Sequence, residues 1–79
     1  MRVLFFASIR EITGTPTIGI QVANDTTVSG LRKELIRRYP NLKSIDTKCA
    51  VAVNEEYVSN DRILEKGDEV ALIPPVSGG

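Results

Sequence analysis

The residues with the clearest chemical pattern are the last six, Pro74-Pro75-Val76-Ser77-Gly78-Gly79. Neither proline has an amide N–H, so neither can extend a sheet ladder, and both favour extended backbone. The pattern predicts a tail that leaves the body straight and stiff and becomes supple at the two glycines. A Gly-Gly end carries no side chains. It can thread a narrow channel and bring the α-carboxylate of Gly79 against the groups of another protein. The plain alternative is a frayed terminus of small residues.

Little else in the sequence could do chemistry unaided. It contains no His, which removes imidazole bases, His-ligated metals and Ser-His or Cys-His couples. One cysteine, Cys49, can build neither a disulfide framework nor a thiolate zinc site. It falls in an apolar run and reads as a small buried hydrophobe in a reducing compartment. Glu55 and Glu56 look like a carboxylate pair, but adjacent turn carboxylates ordinarily face water. No phosphate loop and no metal-ligand spacing is present.

The 79 residues suffice for one small domain, expected over 1–75 with a flexible tail over 76–79. The apolar fraction of 42% and charged fraction of 25% are those of a folded chain. Ten basic and ten acidic residues cancel, which argues against nucleic acid as the main partner. The apolar runs are far shorter than the ~18 residues that cross a bilayer. Arg10 and Glu11 interrupt the start too early for a signal peptide. A soluble, cytoplasmic protein without membrane attachment is expected.

The elements that must position the tail follow from periodicity. Val3–Ile9 reads as a strand, with Val3, Phe5 and Ala7 on one face and Leu4, Phe6 and Ser8 on the other. Residues 11–16 form a connection, and Ile18, Ile20 and Val22 share one face of a second strand. Val28, Leu31, Leu35 and Tyr39 then make a helical stripe, with Thr27 as N-cap and Pro40 as the stop. Arg32, Lys33, Arg37 and Arg38 fall on its wet side. Cys49–Val53 reads as a buried strand and Tyr57-Val58 as its short return. Arg62–Leu64 reads as a turn of helix, and Glu69–Ile73 as the last strand. This order implies an α+β layer with one main helix packed across a mixed sheet. If the first and last strands are central neighbours, it is a β-grasp roll. A ferredoxin-like arrangement would need a second full helix, for which 59–66 is too short.

The sequence resembles the small, sulfur-carrying subunits of molybdopterin synthases, a ubiquitin-like β-grasp family. The resemblance runs through Val3-Leu4-Phe5-Phe6-Ala7, Arg10-Glu11, Thr27-Val28, Leu31, Ala52-Val53-Asn54, Val58 and Gly67-Asp68-Glu69-Val70-Ala71 to the Pro74–Gly79 tail. It implies that Gly79 is adenylated by an activating enzyme that brings ATP and Mg²⁺, the chain itself binding no cofactor or metal. A sulfur donor protein then converts the adenylate to a thiocarboxylate. Sulfur is delivered to a pterin precursor in complex with a large subunit, as a heterotetramer of two small and two large chains. The chain would thus be a co-substrate and not an enzyme on its own.

The resemblance also implies a hydrophobic docking patch of Phe6, Tyr57 and Ile73, with Arg10 beside an acidic partner. Core positions for the three, and a merely solubilising Arg10, are the alternatives. Val76, Ser77 and Gly78, with Pro75, would form the threading tail. Ser77 and Ile73 depart mildly from the expected residues. Other readings are a sulfur carrier for thiamine or tRNA thiolation, a ubiquitin-like modifier, and a plain interaction module with an inert tail.

Overall fold

The computed structural model describes residues 1–75, so the tail expected over 76–79 lies outside the described residues. The chain forms β1 (Arg2–Phe5), α1 (Ala7–Thr13), β2 (Thr17–Gly19) and α2 (Val28–Arg38). Two 3-10 turns (Pro40–Ser44 and Asp46–Lys48), β3 (Ala50–Val53), β4 (Glu56–Tyr57) and β5 (Glu69–Ile73) follow. The sheet order is β2-β1-β5-β3-β4. β1 and β5 are parallel, while the other pairs are antiparallel. The first and last strands are therefore central neighbours, as the β-grasp reading requires.

One sheet face carries the core. Val3 and Phe5 of β1, Val51 and Val53 of β3, and Val70 and Leu72 of β5 are all buried. Val28, Leu31 and Leu35 of α2 are buried in the same cluster, with Tyr39 partly buried against it. Phe5 and Tyr39 meet edge to face at 6.0 Å, an aromatic geometry favoured by the ring quadrupoles. The Thr27 hydroxyl accepts from the Gly30 amide at 3.1 Å, the expected N-cap.

The second strand is shorter than expected, ending at Gly19 before Ile20 and Val22, and three further local expectations are corrected. The first strand stops at Phe5, and residues 7–13 are helical. Ile9 and Ile12 lie three apart, so a helix turns both inward whereas a strand would split them between faces. Ala7 takes φ 45° at the break, and Gly14 closes the helix at φ 76° by donating to the Arg10 carbonyl at 2.8 Å. Second, residues 62–64 form no helical turn. Ile63 instead bridges Thr27, and the Val28 amide donates to the Arg62 carbonyl at 2.9 Å. Those bonds occupy donors at the start of α2 that would otherwise be orphaned.

The third correction concerns Arg32, which is not on the wet side. Its guanidinium donates to the Asp46 carbonyl at 2.6 Å and the Cys49 carbonyl at 2.8 Å, and pairs with the Asp46 carboxylate at 3.4 Å. It clamps the 3-10 segment onto the helix. Arg37 and Arg38 do face outward, and both pair with Glu34, at 2.7 and 3.0 Å. These two guanidiniums hold the Glu34 carboxyl down at about 2.

At the start of β5, Asp68 is buried yet fully partnered. It accepts from the Glu65 amide at 2.8 Å and from the Asn54 side chain at 2.9 Å. The Asn54 carbonyl oxygen in turn accepts from the Glu69 amide at 3.0 Å. The Glu65 amide, with help from Asn54, holds the Asp68 carboxyl below the usual carboxylate range. A lowered folded-state value means that this stability is present above the unfolded value, roughly 4. It is lost as pH falls through the folded one. Asp68→Asn places a donor where two donors already converge, at an expected cost of ~1–3 kcal/mol. Thermal melts of wild type and variant should differ most near neutrality and converge only as pH falls through the lowered folded-state value, where wild-type Asp68 also becomes protonated. A gap that stays constant across that range would contradict the role given to the charge.

Candidate functional site

β5 both completes the core and hands the chain outward. Val70 and Leu72 point into the core, so the alternating residues Ala71 and Ile73 belong to the opposite, helix-free face. Beyond Ile73, Pro74 is half-buried and Pro75 is exposed, so the chain leaves the sheet there. Gly79, Gly78, Ser77 and Val76 lie outside the described residues.

The helix-free face is apolar across four strands. Cross-strand pairing aligns Leu4 with Ala71, Ala71 with Ala52, and Ala52 with Tyr57. The next pair toward Pro75 is Ala50 with Ile73. Tyr57 is 74% exposed at the outer strand. Phe6 follows the Phe5–Leu72 pair with extended backbone (φ −117°, ψ 153°) and is 47% exposed. Strand alternation puts it on the Leu4 face, one step along from the pair that contains Ile73. Phe6, Tyr57 and Ile73 thus share one face, the third of them half-buried. Burying such a face against a partner would release water from it at ~25 cal/mol per Å².

Residues that sequence reasoning missed complete this surface. Ala50, Ala52 and Ala71 lower the middle of the face, leaving Leu4, Phe6 and Tyr57 standing around it. The signal was present in Ala50-Val51-Ala52-Val53, where small and large residues alternate with period two. The valines join the core cluster, while Ala52 points to the other face and is itself covered there, at 6% exposure, by its taller neighbours. Arg2 and Glu69 close one border with an exposed ion pair at 3.8 Å. Arg10 is exposed on α1, with its amide reaching the Phe6 carbonyl at 3.4 Å, so it sits one turn from that ring's backbone.

Among the described residues, the side chains with reactive potential are held inert. Cys49 is buried, and its thiol donates to the Ile45 carbonyl at 3.2 Å. Burial, then Asp46, pushes the thiol up, away from the thiolate that reacts. Among the described residues no His, Cys, Asp or Glu group could hold a metal ion. Nor is any helix among them long and apolar enough to cross a membrane.

Comparison with known proteins agrees with this geometry. A model of the ThiS family matches residues 3–79. The molybdopterin synthase sulfur carrier subunit of Drosophila melanogaster is 44% identical over 82 aligned residues, covering 100% of this chain and 90% of that one. A Pyrococcus furiosus protein described as subunit 1 of a molybdopterin converting factor superposes with TM-score 0.87 at 31% identity, over 95% of both chains. Small archaeal modifier protein SAMP1 of Haloferax volcanii superposes at 0.86 and 31%, covering 99% of this chain and 97% of that one. The chain is also similar, at TM-score 0.70 and 26% identity, to part of a Helicobacter pylori complex of subunits 1 and 2 of molybdopterin-converting factor. That match covers 99% of this chain and 96% of that one.

Proposed function

This chain belongs to the ThiS family of β-grasp proteins, and from that membership we propose that it is the sulfur carrier of molybdenum cofactor synthesis. The observation that carries the reading is similarity along the whole chain to relatives named as molybdopterin synthase sulfur carrier subunits. The geometry supports it. A central strand ends in Pro74-Pro75, beside an apolar face that no helix covers.

Gly79 is the reacting residue in this reading. Its free α-carboxylate is already anionic and a poor electrophile, so sulfur cannot displace oxygen from it directly. An activating enzyme supplies MgATP. A carboxylate oxygen attacks the α-phosphorus, pyrophosphate leaves, and an acyl-adenylate forms. The outer sulfur of a donor-protein persulfide adds to that carbonyl and expels AMP. A thiol then attacks the donor-side sulfur of the resulting acyl disulfide, forming a disulfide with the donor and leaving a thiocarboxylate on Gly79. The thiocarboxylate sulfur then adds to a carbonyl-level carbon of a pterin precursor held by the large subunit, and the oxygen of that carbon leaves as water. A second water cleaves the resulting thioester, leaving sulfur on the precursor and regenerating the carboxylate. The chain is a covalent carrier consumed and restored in each cycle, so it needs no acid–base residue of its own.

The apolar face, with Phe6, Tyr57 and Ile73, is the surface that docks the large subunit and the activating enzyme. Arg10 borders it as the partner of an acidic group. Two small and two large chains form the working synthase. ATP and Mg²⁺ belong to the activating enzyme. The test is the intact mass of the full chain after incubation with activating enzyme, MgATP and a sulfur source. Replacement of one oxygen by sulfur, at the last residue, is the expected result. Conjugates of higher mass would make the chain a modifier, and an unchanged mass would make it an interaction module.

A further inference from the structure

Charge is sorted along this electrically neutral chain. Residues 28–48 carry six basic and two acidic side chains, a formal +4. Residues 54–69 carry six acidic and two basic ones, a formal −4. The fold turns that order into distance. β5 ends beside the start of β3, because Ile73 pairs with Ala50, so Lys48 sits at the pole from which Pro75 leaves. Phe5 reaches the same pole through its pairing with Leu72, and its contact with Tyr39 brings the end of α2 there. That end carries Arg37 and Arg38, and Lys43 follows in the first 3-10 turn.

The acidic residues gather at the other pole. Val53 pairs with both Glu56 and Val70, and the Asn54 amide donates to the Glu69 carbonyl at 2.8 Å. The Asn54-Glu55 turn, Asp68 and Glu69 are therefore neighbours at the start of β5. Glu34 offsets part of the Arg37–Arg38 charge, and Asp46 is held by Arg32. Lys43 and Lys48 are exposed and make no ion pair among the described residues.

We propose that this polarity steers encounter, with the tail leaving from the positive pole and entering a partner whose channel mouth is ringed by acidic protein side chains. The proposal rests on the sulfur-carrier reading and adds to it a surface separate from the apolar docking face. Tight binding belongs to the apolar face. The charge separation gives orientation and on-rate, because a dipole turns the tail-bearing end forward before contact. Steering of this kind raises association 10- to 10³-fold and fades as salt screens it. The screening length falls from ~30 Å at 0.01 M to ~3 Å at 1 M ionic strength.

The test compares two double variants of the full chain that change net charge equally. Lys43→Glu/Lys48→Glu reverses the tail pole, and Arg62→Glu/Lys66→Glu reverses charges on the acidic segment. Association with the activating enzyme is followed by stopped flow at both ionic strengths, and thiocarboxylate formation by mass. Wild type should associate at least 10-fold faster at low salt than at high salt. The tail-pole variant should lose most of that difference with its dissociation rate nearly unchanged. The Arg62/Lys66 variant should stay within about twofold of wild type. Lys43→Gln/Lys48→Gln, which only neutralises the pole, should fall between and guards against misfolding of the reversal.

Equal slowing of both reversal variants would overturn the proposal in favour of a net-charge effect. Salt-independent wild-type association would overturn it outright. RNA binding that Lys43→Glu/Lys48→Glu abolishes would reassign the pole to nucleic acid. A wild-type chain that associates in this charge-dependent way without gaining sulfur would defeat the carrier reading and leave the steering intact.

Discussion

Deletion of Gly79 is expected to abolish thiocarboxylate formation while leaving the fold untouched. The shortened chain offers the carboxylate of Gly78, about one extended residue (~3.5 Å) short of the activating and synthase centres. Where reacting atoms must be aligned, a misplacement of even ~1 Å costs ~100-fold, so the loss should be nearly complete. One residue added after Gly79 should do equal harm, since it locks the carboxyl carbon into a peptide bond. Gly79→Ala keeps the carboxylate but adds a methyl group in a narrow channel, so turnover should fall without vanishing. Mass spectrometry for sulfur and a thermal melt, made on the same samples, check both halves. The buried core of the described residues is built by residues 3–72, so the melts are expected to coincide with wild type. Normal sulfuration of the chain lacking Gly79 would end the carrier reading.

Two adjacent phenylalanines should fail in opposite ways. Phe5 is 2% exposed and packs edge-on against Tyr39, so Phe5→Ala opens a hole in the core. The expected loss is ~3–5 kcal/mol of folding stability, enough to unfold much of so small a domain. Phe6 is exposed on the helix-free face. Phe6→Ala should leave folding close to wild type and weaken assembly with the large subunit by ~2 kcal/mol or more, about 30-fold in affinity. Denaturant melts and titration calorimetry on both variants separate the two outcomes. A Phe6→Ala protein that melts like Phe5→Ala, yet binds normally once folded, would place Phe6 in the core and the docking face elsewhere.

Much of this arrangement was legible because its signals are local. Thr27 is followed by apolar residues at helical spacing, so cap and stripe reinforce each other, and α2 forms where they place it. Val70 and Leu72 alternate with Ala71 and Ile73, and β5 forms with the first pair buried. The short helix α1 was hidden by composition. Val3-Leu4-Phe5-Phe6 sets up a strong β signal, and Ile9 prolongs it. The evidence for a helix, Ile9 and Ile12 three apart with Gly14 after them, is only two turns long. Arg32 was misread for a different reason. Its partners, Asp46 and the Cys49 carbonyl, lie 14 and 17 residues away and become neighbours only through the 3-10 segment. The shared face of Phe6, Tyr57 and Ile73 likewise depends on registers between strands, which no single stretch of sequence reveals.

The central position of β5 has a mechanical consequence. Any partner that draws the chain in by its end pulls along this strand. β5 is bonded on both sides, to β1 through four residue pairs and to β3 through four more. A pull along the strand loads both ladders in shear, so their hydrogen bonds must give way together. An edge strand peeled sideways would instead release them one at a time. The rope is tied to the middle of the sheet, and tension on the end of the chain would be spread over the whole body without stripping the strand that bears it.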